Sequence, residues 1–358
     1  MLPPQKRLRA WRFAGLLTTY WCNARCAFCY VWGAPEQDGT MAVDDAVAFW
    51  RQLDRVAGID GRSIQIHIAG GEPFGQWNHL VAILRAAHAA GLPPARKIET
   101  NAYWATDDRA TRERLVALRD LAVGRIDIST DVFHQAYVDV DRVRRCVRVA
   151  REVFGETGVR VRWQDFLDRP VIVAELDPAE RDRAFVDALA KTPERMTGRA
   201  AMTLAPLLPQ HPLERFTGQH CVKELLKSKH VHVGPDGAVF PGVCSGILLG
   251  NACDEPLDEM WHRLADRWQD EPILTPLIHH GPLALCESAQ RLGYEPRPEG
   301  YATKCHLCTH VRQFLFERGV YPARLGPGAC YATTPMFSSR QCVQPANDLE
   351  AKQSTSAR

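Results

Sequence analysis

A charge of one sign is missing from this 358-residue chain: 44 Lys and Arg face 42 Asp and Glu, for a formal net charge of +2. Such a balance gives no electrostatic footprint for nucleic acid or for an anionic membrane surface. Long apolar runs are missing too, since no stretch approaches the roughly 18–20 apolar residues of a transmembrane helix. The opening MLPPQKRLRAWRFAGLLTTYW is basic and then apolar, but it has no small-residue cleavage site and runs directly into Cys22. It reads as a mature N-terminus feeding a strand. These absences place the protein in the cytoplasm, with neither nucleic acid nor membrane as partner. Twelve cysteines are too few for a disulfide scaffold in a chain of this length and too clustered for chance. In a reducing compartment, clustered thiols mean metal or redox chemistry.

What is present is a βα rhythm. FAGLLTTY (13–20) reads as a strand, and VDDAVAFWRQLDRV (43–56) as a helix with Val43, Val47, Trp50 and Leu53 on one face. IQIHIA (64–69) is the next strand; the helix after it keeps Trp77, Leu80, Val81 and Leu84 together and stops at Gly91. Strands at 96–100, 125–129 and 159–163 alternate with helices at 107–122, 139–153 and 177–190, and RAAMTL (199–204) reads as a sixth strand. Six βα units predict an α/β fold, a parallel sheet that is open or curled into a partial barrel, with chemistry at the carboxyl ends of the strands. After about residue 205 the rhythm fails, and HVHVGPDGAVFPG (230–242) reads as a hairpin around a Pro-Asp-Gly turn. The expected division is an N-terminal tail at 1–11, a barrel domain at 12–205, a smaller irregular cysteine-containing domain at 206–330, and a C-terminal tail at 331–358 whose polar end is disordered.

The motifs collect at one mouth of this arrangement. TTYWCNARCAFCYV places Cys22, Cys26 and Cys29 after strand one, in the spacing C-x3-C-x2-C. Gly70-Gly71-Glu72-Pro73 follows strand two, Thr100-Asn101 ends strand three, and Ser129, Asp131 and His134 lie at or after the end of strand four. Three thiolates hold three irons of a four-iron cluster and leave one open to a non-protein ligand. The triplet together with GGEP, in a (βα)6 partial barrel, resembles the radical S-adenosylmethionine (SAM) superfamily over about residues 12–205.

That resemblance implies a [4Fe–4S] cluster held by Cys22, Cys26 and Cys29, with SAM as the fourth ligand. It implies Phe28 against the adenine, Gly70 and Gly71 close to the methionyl end, and Glu72 accepting from the SAM ammonium within the GGEP run that Pro73 closes. Thr100, Asn101, Ser129 and Asp131 are polar candidates for the ribose and carboxylate, although the family often has Gly after TN where this chain has Ala102. The resemblance also implies a reducing partner such as a flavodoxin or ferredoxin. A three-cysteine zinc knuckle is the plain alternative for the triplet, a strand-end turn for Gly70–Pro73, and a loop-capping Asx turn for Ser129 and Asp131. His134 is a candidate catalytic residue or a structural histidine.

Cys305-His-Leu-Cys308, with Cys221 and Cys244 flanking the expected hairpin, supplies four more thiols. Their order is similar to the twitch and SPASM extensions of radical SAM enzymes and implies one auxiliary [4Fe–4S] cluster. A structural zinc is the alternative. Cys253, Cys286, Cys330 and Cys342 remain spare; Cys253 or Cys286 is a candidate hydrogen donor to a substrate radical. Cys146, within DRVRRCVRVARE, reads as a buried small hydrophobe on a solvated helix. The resemblance implies an enzyme that modifies a peptide or protein, helped by a separate peptide-recognition protein, or else oxidises or rearranges a small molecule. A reading from another class is a non-catalytic iron–sulfur carrier or zinc-braced scaffold.

Overall fold

In a computed structural model the described residues are 7–332 and Cys342. The elements run β1 (Phe13–Thr19), α1 (Val43–Gly58), β2 (Gln65–Gly70), α2 (Trp77–Ala89), β3 (Lys97–Thr100), α3 (Asp108–Asp120), β4 (Ile126–Ser129), α4 (Val132–Gln135), α5 (Val140–Phe154), β5 (Val159–Arg162), α6 (Gln164–Asp168), α7 (Pro178–Lys191) and α8 (Arg199–Thr203). Then follow α9 (Val222–Leu225), β6 (His230–Val233), β7 (Ala238–Pro241), β8 (Gly250–Asn251), α10 (Leu257–Arg267), α11 (Leu274–His279), α12 (Pro282–Gln290) and α13 (Lys304–Glu317). The expected disordered end lies beyond residue 332, outside the described residues apart from Cys342.

The expected α/β architecture is present as an eight-stranded, mostly parallel sheet in the order β5-β4-β3-β2-β1-β6-β7-β8. Each strand–helix alternation follows the sequence pattern. The α1 stripe is centred slightly differently from expectation, on Ala46, Phe49, Trp50, Leu53 and Val56, with Val47 only half-buried. Gly91, at φ +69, ends the α2 segment in the left-handed region, where lacking a Cβ removes the steric cost.

One expectation is corrected. Residues 199–204 are not a strand: Arg199–Thr203 forms the short helix α8. The sixth parallel strand is instead β6, the first arm of the expected hairpin, and it pairs with β1 rather than with β5. Short apolar runs of this kind do not distinguish strand from helix by periodicity. The hairpin turn is Gly234–Gly237, with Gly237 at φ +75, and β7 and β8 continue the sheet antiparallel. Because β6 joins β1, a single cluster of buried apolar residues runs from Ala10 to Tyr331 and crosses the expected 205/206 division.

β1 is therefore central, flanked by β2 on one side and β6 on the other, and all but Phe13 of its residues are buried. Cys146 is fully buried in α5, as expected, and the arginines around it bind outward: Arg145 and Arg148 reach Asp108 at the start of α3. Leu16→Ala, at the fully buried middle of β1, is expected to cost about 2–5 kcal/mol, read as a lowered denaturation midpoint.

Candidate active site

The carboxyl ends of β1–β5 surround a cleft of about 680 Å³. Cys22, Cys26, Phe28, Cys29, Gly70, Gly71, Glu72, Thr100, Asn101, Ser129 and His134 all line it. Asp131 and Pro73, two of the expected site residues, do not. Asp131 caps α4 instead, accepting from the Phe133 and His134 amides and from His134 Nδ1 at 2.6 Å. The Asx-cap reading of this residue is the one its hydrogen bonds match. Pro73 is buried at the start of a short turn of helix.

The cysteine loop is shaped before any ligand enters. Cys29 Sγ accepts from the Gly33 amide at 3.2 Å, and Cys22 Sγ from the Ala24 amide at 3.4 Å. Arg199, at the start of α8, holds the loop from outside: its amide donates to Cys29 O, and its guanidinium donates to Cys26 O and Gly33 O, both at 2.9 Å. Burial raises the Cys22 thiol, reinforced by the nearby Glu72 and Cys26 charges; burial also raises Cys29, against the Arg199 charge that lowers it. Protein alone thus disfavours thiolates here, and a cationic group such as an iron cluster is what would stabilise them.

The GGEP turn is fitted to the end of β1. The Gly71 amide donates to Thr19 O at 2.7 Å and the Glu72 amide to Trp21 O at 2.8 Å. A Cβ on Gly71 would sit 1.9 Å from Trp21 O, and one on Gly70 2.3 Å from Thr19 O. Loop-to-loop packing by itself therefore requires both glycines.

Glu72 is 1% exposed and already engaged. Its carboxylate accepts from Thr100 Oγ1 at 2.8 Å, the Asn101 amide at 2.7 Å and the Phe74 amide at 3.2 Å. Three of the roughly four acceptor positions of a carboxylate are filled, so its visible work is to tie the end of β2 to the end of β3. Thr100 is likewise spent, accepting from the Ala102 amide and Trp104 Nε1. Asn101 bridges to Asn23 at 2.9 Å beside Cys22. Ala102 has φ +64, so the position where the family often has Gly does adopt left-handed backbone.

Phe28 packs on Phe133 and against the edge of His134, at centroid distances of 5.2 and 5.4 Å. Burial alone would lower the His134 pKa, but the neighbouring Asp131 and Cys26 outweigh it and raise it. Sequence reading missed Tyr30, Glu99 and Arg162, which also line the cleft. For Glu99 and Arg162 a signal existed in their place at the carboxyl ends of strands, Glu99 beside Thr100 on β3 and Arg162 paired with Ser129 from β5. For Arg199 none existed.

Cys221, Cys244, Cys305 and Cys308 line one cavity, with Arg312 among them. Arg312 is 2% exposed, and its guanidinium donates to Cys308 Sγ, Ser245 O, Tyr331 Oη and Thr309 Oγ1, none of them a carboxylate. A buried guanidinium needs negative charge nearby, and here only thiols and a phenol are placed to supply it. Burial raises Cys221 to about 12, helped by the Cys308 charge. A third cavity joins the two sites: Phe28, Tyr30 and Arg162 border it on one side and Thr197 on the other, with Glu194, Arg195 and Ser245 between.

The spare cysteines do not join either set. Cys253 is bonded to Cys342, which removes it as a free-thiol hydrogen donor. Cys286 is fully buried within α12 and lines none of the three cavities, so the structure does not support it in that role either. Cys330 is buried beside Arg312. No three cysteine sulfurs lie mutually within 4.8 Å among the described residues. Thiolates around one tetrahedral zinc, at about 2.3 Å each, would be about 3.8 Å apart.

Two tests follow. Burial raises Glu72 from 4.5 to about 7, against hydrogen bonds from Asn101, Thr100 and Phe74. Between those values the unfolded chain releases this proton and the folded chain keeps it, so stability falls as pH rises from about 4.5 to about 7. Glu72→Gln is expected to flatten that slope in urea titrations at stepped pH. Arg199→Ala strands the Cys26 and Gly33 carbonyls and is expected to cost about 2–4 kcal/mol, with faster loss of cluster iron on desalting.

Residues 16–160 match the family model of the Radical SAM superfamily. No curated protein matches the chain. Among solved structures, BtrN in complex with AdoMet and 2-DOIA is similar at 14% identity, over 75% of this chain and 88% of that one, with a TM-score of 0.41. Native anSMEcpe with bound AdoMet and the Cp18Cys peptide is similar at 12% identity, over 86% and 97%, with a TM-score of 0.40. The sequence match to the Radical SAM superfamily, a family that uses a [4Fe–4S] cluster and S-adenosylmethionine, thus spans the β1–β5 segment that carries the Cys22, Cys26 and Cys29 triplet.

Proposed function

We propose that the chain is a radical SAM enzyme, that Cys22, Cys26 and Cys29 hold its SAM cluster, and that the substrate lies in the cavity between the two thiol sites. The observation that carries this reading is the convergence of the three thiols with Gly71, Glu72, Asn101 and Ser129 around one cleft at the carboxyl ends of the strands. Cys22, Cys26 and Cys29 would hold the cluster, which together with bound SAM would supply one-electron chemistry for hydrogen abstraction from the substrate. The chain supplies position. Arg199 fixes the thiol-bearing loop, Glu72 locks two strand ends together, and Phe28 offers an aromatic edge toward an adenine. Asn101 and Ser129 offer polar contacts for the ribose or carboxylate.

Cys221, Cys244, Cys305 and Cys308 would hold an auxiliary [4Fe–4S] cluster. Support comes from the buried Arg312 and from sulfurs spread wider than a mononuclear zinc site requires. The bridging cavity measures about 780 Å³ and is lined by Arg162, Arg195 and Glu194, which fits an anionic or zwitterionic group. In peptide or protein modification, the reading favoured here, one residue of the substrate enters that cavity. The charged lining also favours a second reading, an anionic small molecule held whole. An external low-potential reductant completes either reaction.

Anaerobically reconstituted, reduced protein is expected to release 5′-deoxyadenosine from SAM, and Cys26→Ala to abolish it. No release together with no SAM-induced change in the cluster's spin-resonance signal would sink the reading. Iron content is expected to fall by about four per chain in Cys26→Ala and by about four in Cys305→Ala/Cys308→Ala, as two separate clusters require.

A further inference from the structure

Three histidines meet inside the sheet, and none of them lines either thiol cavity. His67 stands on β2, His230 and His232 on β6, and β1 runs between them. One ring nitrogen from each lies within 4.8 Å of the others. They come together because the β1 residue between two of them has no side chain. Gly15 pairs with His67 on one side and His232 on the other. A Cβ there would fall 2.2 Å from His232 Cδ2 and 2.6 Å from His67 Nε2.

These rings are buried and incompletely partnered. His67 is 2% exposed and His232 4%, while His230 is half-buried. His67 Nδ1, His230 Nε2 and His232 Nδ1 have no hydrogen-bond partner. Leaving a buried polar atom unpaired is costly, and the same omission recurs here on three adjacent rings. The outer contacts are those that orient a ligating imidazole: His67 meets the Ala14 backbone, and His232 Nε2 meets the Tyr30 hydroxyl at 3.5 Å. Phe13 packs on both His67 and His230 at 4.7 Å, and Phe240 lies 5.4 Å from His232.

We propose that His67, His230 and His232 form a site for one divalent transition-metal ion of the zinc class. Three imidazoles with neither thiolate nor carboxylate in the set suit zinc, and also copper or nickel, rather than magnesium or calcium. The facing cation, Lys97, is matched by Glu99 at 2.6 Å and Asp127 at 2.9 Å, and Arg125 also binds Asp127. The site shares no residue with either thiol set, and it stands or falls independently of the radical reading.

The test uses the full chain with its clusters reconstituted, incubated anaerobically with zinc sulfate alone and then desalted through a chelator wash. About one zinc per chain is expected to remain, with X-ray absorption placing nitrogen neighbours at about 2.0–2.1 Å. His67→Gln/His232→Gln, and separately His230→Asn at the half-buried member, are expected to weaken zinc retention by about tenfold or more. Iron and sulfide contents in the variants are expected to match the parent, which shows that they fold. Zinc retained equally by parent and His230→Asn, no zinc retained by the parent, or sulfur neighbours at about 2.3 Å would each overturn the site.

Discussion

The backbone of residues 19–21 has to accept the Gly70–Glu72 turn before anything else at the mouth of the sheet can be placed. Two short amide-to-carbonyl bonds join the segments, at 2.7 and 2.8 Å, and they form only because Gly70 and Gly71 bring no Cβ into the contact. That contact sets where the cysteine loop leaves β1. It also sets where Glu72 points, and Glu72 in turn gathers Thr100 and Asn101 from the next strand. The Gly71 and Glu72 amides tie the turn to the end of β1, the Glu72 carboxylate ties it to the end of β3, and the cleft is the space these strand ends leave.

The same logic applies to the thiols. Spacing alone does not make three cysteines a site; the loop needs a fixed shape, and Arg199 provides it from a helix about 170 residues later in the chain. Arg312 plays the matching part at the second set, where its hydrogen bonds among the described residues go to Cys308, Ser245, Tyr331 and Thr309 and to no carboxylate. Each guanidinium is buried, and buried guanidinium groups persist only where their hydrogen bonds and charge are met. Both thiol sets are thus built around an arginine, one bracing backbone and one facing sulfur.

A central β1 has a consequence for the division of the chain. Since β6 pairs with β1, the segment carrying Cys221 and Cys244 is anchored to the strand that precedes Cys22. This brings the bridging cavity, with Arg162, Glu194 and Arg195, between the two sets. It also places His230 and His232 opposite His67, across a strand whose glycine leaves room for the rings.

Local chemistry made much of this legible from sequence. The strand–helix alternation, the Pro-Asp-Gly hairpin, the triplet at the end of strand one and the glycine pair at the end of strand two are short-range features, written in period and turn residues. Which strand lies beside which is not short-range. The 199–204 run carried no periodicity able to separate helix from strand, and the partner of β1 was decided by long-range packing of the hairpin. Arg199 and the three histidines were unreadable for the same reason: their roles depend on partners from 52 to 217 residues away, brought near only when the sheet closes its register. Glu72 marks the boundary between the two kinds of information. Sequence placed it at the site, and tertiary structure decided that most of its hydrogen bonds go to the protein itself.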